Sequence, residues 1–184
     1  MRTALVLIDI QNDYFPGGRM ELVGSEAAAC SAANLLRAFR QAGWPVFHVK
    51  HISNRTGSTF FLPNTAGVET HHSVAPLPGE AVVIKNYPNS FRETILQEQL
   101  KAAGIGSVLI CGMMTCMCVD ATVRAAFDFG YTCTVAHDAC ATMDLVFNGV
   151  AIPADQVQGS FLAALGAIYA QIRSSDDILA AISA

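Results

Sequence analysis

The stretch SVLICGMMTCMCVDATVRAAFDFGYTCTVA, residues 107–136, contains the pattern that decides the fold. Apolar, β-branched runs predict strands at 107–111 and 131–136, and the segment between them predicts a helix over 116–129. Neither strand carries a charge, and charge-free strands are typical of a parallel sheet that is covered on both faces. The stretch therefore predicts a strand–helix–strand unit of an α/β fold.

The alternation of strands and helices continues on both sides of this unit. Three more apolar runs predict strands at 3–8, 45–49 and 81–85. Helices are predicted over 25–42, from a Ser-x-x-Glu capping box at 90–93, and over 153–172. The whole pattern predicts a three-layer α/β/α fold, with a Rossmann-like, mainly parallel sheet of five to six strands and helices on both faces.

Length and composition limit the class of protein. Of the 184 residues, 52% are hydrophobic and 14% are charged, which excludes a disordered chain. The length predicts a single domain over 1–184, in which the polar, Pro- and Gly-rich segment 51–80 forms a flap over the active site. The net charge is −4 and no basic patch stands out, so neither nucleic acid nor a membrane is expected as a partner.

The cysteines and the N-terminus bear on the compartment. All six cysteines lie inside apolar runs, which predicts reduced thiols that act mostly as small apolar core residues. Cys30, Cys111 and Cys116 are among those interpreted in this way. The apolar run at residues 4–8 is too short for the core of a signal peptide, so a cytoplasmic location is expected.

Three reactive side chains are expected at the carboxyl ends of strands, where parallel α/β sheets bind their ligands. Asp9 ends the first strand, Lys85 ends the third, and Cys118 falls in the first turn of the helix after the fourth. A helix N-terminus and the Lys85 ammonium both favour a nucleophilic thiolate at Cys118. Asp9 raises the pKa of the thiol, but it can carry the thiol proton to a leaving amine.

Each of these residues also has a purely structural interpretation. An aspartate at a strand end can cap a turn, and a lysine there can extend into solvent. A free cysteine is most often packed in the core. The functional interpretation rests on the joint position of Asp9, Lys85 and Cys118 at one end of one sheet, provided that their strands are neighbours.

Several segments resemble a known family. LVLIDIQNDYFPGG (5–18), VVIKNYPNSF (82–91), LICGMMTCMCVDATVRAAFDFGY (109–131) and VAHDACAT (135–142) are similar to signature blocks of the isochorismatase-like cysteine hydrolases. That family includes nicotinamidases, N-carbamoylsarcosine amidases and isochorismatases. The resemblance implies an Asp–Lys–Cys catalytic triad, which matches Asp9, Lys85 and Cys118. It also implies a cis peptide bond at Met113–Met114 that aims the backbone N–H groups of Met114 and Cys118 at an oxyanion.

The histidines raise the question of a metal. In the nicotinamidase relatives, an Asp-x-His after the second strand and a later His hold a metal. The matching segment FHVKHIS (47–53) has His48 and His51 but lacks the aspartate, and a spacing of three puts the two histidines on opposite faces of a strand. His71 and His72 lie in the flap, from which a ligand could come. We expect no metal and no other cofactor.

The substrate pocket is expected to be apolar and lined by aromatic side chains. The candidate lining residues are Asn12, Phe15, Phe60, Phe61, Asn86, Tyr87, Met114 and Thr115. The leading hypothesis is a cysteine hydrolase that cleaves the C–N bond of a small non-peptide amide through a Cys118 thioester. The alternatives are an isochorismatase-type vinyl-ether hydrolase, which needs the aspartate but no cysteine, and a non-catalytic thiol sensor that retains the fold. Alanine-rich helices predict a homo-oligomer.

Overall fold

The computed structural model describes residues 2–183. The chain forms, in order, β1 (Arg2–Ile8), α1 (Ser25–Gln41), β2 (Val46–His51), β3 (Ala81–Lys85), α2 (Leu96–Ala102), β4 (Ile105–Met113), α3 (Asp120–Asp128), β5 (Thr132–Ala141), β6 (Leu145–Phe147), β7 (Val150–Ile152), α4 (Ala154–Ile168), β8 (Gln171–Arg173) and α5 (Ser175–Ser183). None of the helices within the described range is both long and apolar enough to cross a membrane.

One six-stranded sheet organises these elements. Its strand order is β3-β2-β1-β4-β5-β8, and every neighbouring pair is parallel. Among the helices, α1 contacts α5 and α3 contacts α4, while β6 and β7 form a separate antiparallel hairpin. The predicted α/β class with a mainly parallel sheet is therefore confirmed.

The centre of the sheet is where β1 and β4 meet. Residues 4–8 of β1 and 108–113 of β4 are buried, as expected for charge-free central strands. At the end of this pair, Gly112 has a φ of 128°, and a Cβ added there would overlap the backbone of Ile8. Only glycine combines that backbone angle with such a close approach of two strands.

Two predictions of local structure are wrong, and a third helix has an unexpected first turn. The Ser90–Glu93 pair is not a capping box, because Ser90 hydrogen-bonds with Thr122 in α3 and α2 begins only at Leu96. The helix predicted over 153–172 is α4, which ends at Ile168, and its expected last turn leads instead into β8, the sixth strand of the sheet. The helix predicted over 116–129 is present, but its first turn, Thr115–Val119, is π-helical and precedes α3.

The cysteines are mostly buried, as predicted, with one exception. Cys111 and Cys116 lie in the core, with exposed fractions of 0% and 6%. Cys30 is exposed on the surface of α1, so its interpretation as a core residue is wrong. Cys30 faces solvent although it lies in an apolar run, because other apolar residues of α1, among them Leu35, Leu36 and Phe39, fill the core side of the helix.

Two buried side chains attach the segment after β2 to the region after β1. The Asp13 carboxylate accepts the backbone N–H of Phe61 at 2.6 Å, and a Cβ at Gly67 would overlap this carboxylate. The Gln11 amide donates to the carbonyl groups of His51 and Val68 at 2.9 and 2.8 Å. The segment is thus held by buried hydrogen bonds although it contains only short 3-10 turns.

We predict that Gly112→Ala lowers the free energy of unfolding by about 3 kcal/mol, because the new methyl group strains the backbone and forces β1 from β4. Gly159→Ala in α4 is the matched control, since nothing lies near its added Cβ and φ there is not positive. We expect the control to be neutral or stabilising by up to about 1 kcal/mol. Urea denaturation followed by circular dichroism tests this, and equal midpoints for both variants would contradict it.

Candidate active site

A buried ammonium group lies at the centre of the site. The Lys85 Nζ is 2.7 Å from Asp9 Oδ2 and 3.2 Å from Cys118 Sγ. It is also 3.1 Å from His51 Nδ1 and 3.1 Å from the Tyr87 carbonyl oxygen. One cation is therefore surrounded by four acceptors, and the structure brings together the three residues that the sequence singled out.

The order of the strands explains how these residues meet. β1 and β4 are neighbours, so Asp9 and the turn that carries Cys118 follow adjacent strands. β3 is separated from β1 by β2, and Lys85 pairs in register with His51 at the end of β2. The condition that the three strands are neighbours therefore does not hold for β3. The long lysine side chain spans the intervening strand, and this brings His51 into the cluster.

Asp9 is held in a constrained position. Its side chain has no exposure to solvent, and its φ of 50° is in the left-handed region that residues other than glycine rarely adopt. Its backbone N–H donates to the carbonyl of Val49 at 3.0 Å, which ties it to β2. The carboxylate is therefore aimed at Lys85 by the backbone itself.

The Cys118 thiol is protonated in the resting site. Burial raises its pKa most strongly and the Asp9 carboxylate raises it further, while Lys85 acts in the opposite direction but does not offset the two. The directions expected for Asp9 and for Lys85 thus agree with the sequence analysis, and burial adds the largest effect. Cys118 is 5% exposed, so the thiolate has little water to stabilise it. A base must remove the proton during the reaction, and the nearby Asp9 carboxylate is suited to that step.

Lys85 and His51 have complementary charge states. Burial lowers the pKa of Lys85, but Asp9 and Cys118 outweigh this effect and the pKa is raised, so the ammonium stays charged. Burial, followed by the positive charge of Lys85, lowers the pKa of His51 to about 4. The imidazole is therefore neutral near pH 7, and its Nδ1 accepts a hydrogen bond from Lys85.

A cavity of about 610 Å³ opens above this cluster. Of the predicted lining residues, Phe60, Phe61, Asn86, Tyr87 and Met114 line it together with Cys118. The peptide bond between Met113 and Met114 is cis. The wall is thus partly aromatic and comes mainly from the segment after β2 and the loop after β3.

Three predicted pocket residues lie elsewhere. The Asn12 amide donates to the carbonyl of Ala66 at 2.9 Å, and the Thr115 hydroxyl donates to that of Ala141 at 3.2 Å. Phe15 is buried and stacks on the ring of His71 at 3.7 Å. All three stabilise the loops around the site and do not line the cavity.

Reasoning from the sequence missed nine of the lining residues, among them Tyr14, His51, Arg55 and Arg92. His51 ends β2, two residues beyond the strand predicted at 45–49, so the rule that selected Asp9 and Lys85 did not select it. Arg55 and Arg92 lie in segments without periodicity, so nothing in the pattern distinguished them from surface arginines.

The histidines do not converge on one metal. His48 points away from the cavity and pairs with Glu80 at 2.9 Å, whereas His51 faces Lys85. Within residues 2–183, one group offers three metal-ligand atoms within 4.8 Å of one another, namely Asp9, His51 and Cys118. The Lys85 ammonium lies within 3.2 Å of each of these side chains, so it occupies the position that a cation would take.

A parallel α/β sheet that carries a thiol, a carboxylate and an ammonium below a cavity is the arrangement of an α/β enzyme. The Isochorismatase domain model matches residues 3–156, and the chain belongs to the isochorismatase family. Members of this family are hydrolases, which confirms the family and the enzyme class predicted from the sequence blocks.

Individual relatives are similar in sequence over most or nearly all of the chain. The isochorismatase family protein YddQ of Bacillus subtilis is 50% identical over 97% of this chain and 99% of that protein. A solved isochorismatase-family hydrolase from Oleispira antarctica is 52% identical and superimposes with a TM-score of 0.94, covering 97% of this chain and 96% of its own. Ureidoacrylate amidohydrolase RutB of Variovorax paradoxus is 28% identical over 74% of this chain and 68% of that protein.

The low pKa of His51 predicts a dependence of stability on pH. Between its folded pKa of about 4 and its ordinary value of 6.5, the unfolded chain binds a proton that the folded chain does not. The free energy of unfolding should therefore fall as the pH decreases from 6.5 to 4, and it should fall less in His51→Gln. Urea titrations across this range measure the difference.

The matched control is His137→Gln, because His137 is exposed on β5. This variant should keep the full pH dependence of the wild type. His48 and His71, whose pKa values burial also lowers, contribute equally to all three proteins. Identical pH slopes in the wild type and in His51→Gln would contradict the assignment.

Proposed function

We propose that this protein cleaves the C–N bond of a small non-peptide amide, with Cys118 as nucleophile, Asp9 as proton carrier and Lys85 as the charge that stabilises the thiolate. The observation that carries the proposal is the contact of one buried ammonium with both Asp9 and Cys118 at the floor of a cavity. A nucleophile, a base and a fixed positive charge are the parts that thiol-dependent acyl transfer requires.

In the first half of the reaction, Cys118 Sγ attacks the amide carbon while Asp9 takes the thiol proton. Lys85 stabilises the thiolate as it forms, because the ammonium already lies 3.2 Å from Sγ. The backbone N–H groups of Met114 and Cys118 are the proposed donors to the oxyanion. The C–N bond then breaks, Asp9 returns the proton to the leaving nitrogen, and a thioester remains.

In the second half, water attacks the thioester and Asp9 accepts a proton from that water. The C–S bond breaks, the thiolate recovers the proton, and the carboxylic acid product leaves. The neutral His51 imidazole accepts a hydrogen bond from Lys85 and so fixes the direction of the ammonium throughout. Asp9 thus alternates between base and acid, whereas Lys85 keeps its proton.

The amidohydrolase named among the relatives supports amide cleavage over the alternatives. A vinyl-ether hydrolase of the isochorismatase type would not require a cysteine, yet Cys118 is in contact with Lys85 and lines the cavity. A non-catalytic thiol sensor would not require a cavity of about 610 Å³ beside the thiol.

Removal of the thiol should abolish amide hydrolysis while the fold persists. We expect Cys118→Ala to lose at least about a thousandfold in kcat/KM on whichever amide the wild type cleaves, since the covalent route is lost. Cys116→Ala is the matched control. The Cys116 sulfur is buried, accepts a hydrogen bond from the Thr142 hydroxyl and lies outside the cavity lining. Release of ammonia or amine from an amide panel is the readout.

Acid quench followed by mass spectrometry gives an independent measurement of the same mechanism. The wild type should carry an acyl adduct on Cys118, and the Cys118→Ala variant should carry none. Turnover by the alanine variant at the rate of the wild type would exclude the nucleophile that we propose.

The proton-carrier role of Asp9 predicts opposite changes in two rates. Asp9→Asn removes a charge that raises the pKa of Cys118, so iodoacetamide should label Cys118 about tenfold faster or more at pH 7. Turnover should nevertheless fall, because no group takes the proton. Asp155→Asn, at an exposed position of α4, should change neither rate. Slower labelling of Cys118 in Asp9→Asn than in the wild type would contradict the proposed effect of Asp9 on the pKa of Cys118.

We further propose that the enzyme acts as a cytoplasmic homo-oligomer. All six cysteines are free, as is usual for proteins of reducing compartments. The hairpin β6–β7 exposes Val146, Phe147 and Val150 at 72%, 69% and 66%, which is typical of a contact surface. Light scattering should give a mass above the 19.5 kDa of one chain, and a strictly monomeric species would contradict the proposal.

A further inference from the structure

The charged groups of the cavity wall are unlike those of the chain as a whole. Acidic residues outnumber Lys and Arg by 15 to 11 in the sequence. The cavity lining nevertheless contains two guanidinium groups, those of Arg55 and Arg92, and no carboxylate side chain. The catalytic cluster below does not balance them, because Asp9 neutralises Lys85 and both His51 and Cys118 are uncharged. The cavity therefore carries about two uncompensated positive charges.

Arg92 is held on the cavity wall in a defined orientation. Its guanidinium carbon lies 3.6 Å from the centre of the Tyr87 ring, and Tyr87 also lines the cavity. A guanidinium stacked on an aromatic face keeps its in-plane N–H donors available to a ligand. Its carboxylate neighbour, Glu93, is 3.7 Å away, and both side chains are more than half exposed, so this pair contributes little.

Arg55 reaches the same cavity from a different segment. Its carbonyl accepts the N–H of Ser58 at 3.1 Å, which closes the turn that carries it. No carboxylate within residues 2–183 pairs with its guanidinium. An arginine without an acidic partner, in a cavity lining that also contains Phe60 and Phe61, is suited to bind an anion through charge-assisted hydrogen bonds.

We propose that the substrate is a small amide that carries a separate carboxylate, which Arg55 and Arg92 bind while the amide carbonyl lies against Cys118. The assignment of the scissile group rests on the function proposed above, whereas the carboxylate subsite rests on the charges of the cavity wall alone. Arg55 and Arg92 thereby determine specificity and take no part in bond cleavage.

The test compares amides that differ only in charge. Malonamate, succinamate and glutaramate are each paired with the corresponding diamide, so that the spacing between amide and carboxylate is varied without altering the skeleton. Calorimetric titration of the Cys118→Ala variant measures binding without turnover. At least one acid should bind about tenfold more tightly than its diamide, and added salt should reduce this preference.

The variants assign the preference to the two arginines. The double variant Arg55→Gln, Arg92→Gln, made on the Cys118→Ala background, should bind acid and diamide equally. Arg37→Gln, on the exposed face of α1, is the matched control and should retain the preference. Equal binding of acid and diamide for every pair, or a preference that survives the double variant, would overturn the carboxylate subsite.

Two outcomes separate this inference from the proposed function. If the acids bind preferentially but the wild type hydrolyses no amide, the subsite stands and the amidase function fails. If the wild type hydrolyses amides with equal kcat/KM for the acid and the diamide of each pair, the amidase function stands and the subsite fails.

Discussion

The ion pair between Lys85 and Asp9 constrains the rest of the structure. The two atoms are 2.7 Å apart and neither side chain is exposed, so each charge has lost its water. Further hydrogen bonds help such a pair to offset its desolvation, and here the ammonium has three of them besides Asp9. The additional acceptors come from the ends of β2 and β4 and from the loop after β3. Four strands must therefore end at one point, and the sheet order achieves this.

The same ion pair determines the charge states of the site. Because Lys85 is shared between Asp9, Cys118 and His51, it does not offset the burial of the thiol, and Cys118 stays protonated. The nucleophile is thus formed only when substrate arrives and Asp9 accepts the proton. A neutral cluster also leaves the arginines as the uncompensated charges facing the cavity, which links the catalytic chemistry to the charge of the ligand.

The sequence was sufficient to predict those parts of the fold and of the site that a single sequence pattern determines. β1 and β4 follow from charge-free apolar runs, and the three strand-end residues follow from the rule that parallel sheets bind ligands at their carboxyl edge. His51 could not be assigned in this way, because its position between Lys85 and Asp9 depends on the strand order, which periodicity does not encode. The helix start predicted at residue 90 was wrong, because the Ser90 hydroxyl hydrogen-bonds with that of Thr122, thirty-two residues away. The helix predicted to residue 172 was too long, because the apolar spacing continues past the end of α4 into β8.

The four acceptors around Lys85 are a carboxylate, an imidazole, a thiol and a carbonyl, which are groups that proteins also use to hold divalent ions. Here the cation is tethered to the polypeptide by four methylene groups. It is synthesised with the chain, present once in every folded molecule, and unable to dissociate or exchange for another ion. The positive charge of the site is therefore inherited with the sequence and does not depend on supply from the surroundings.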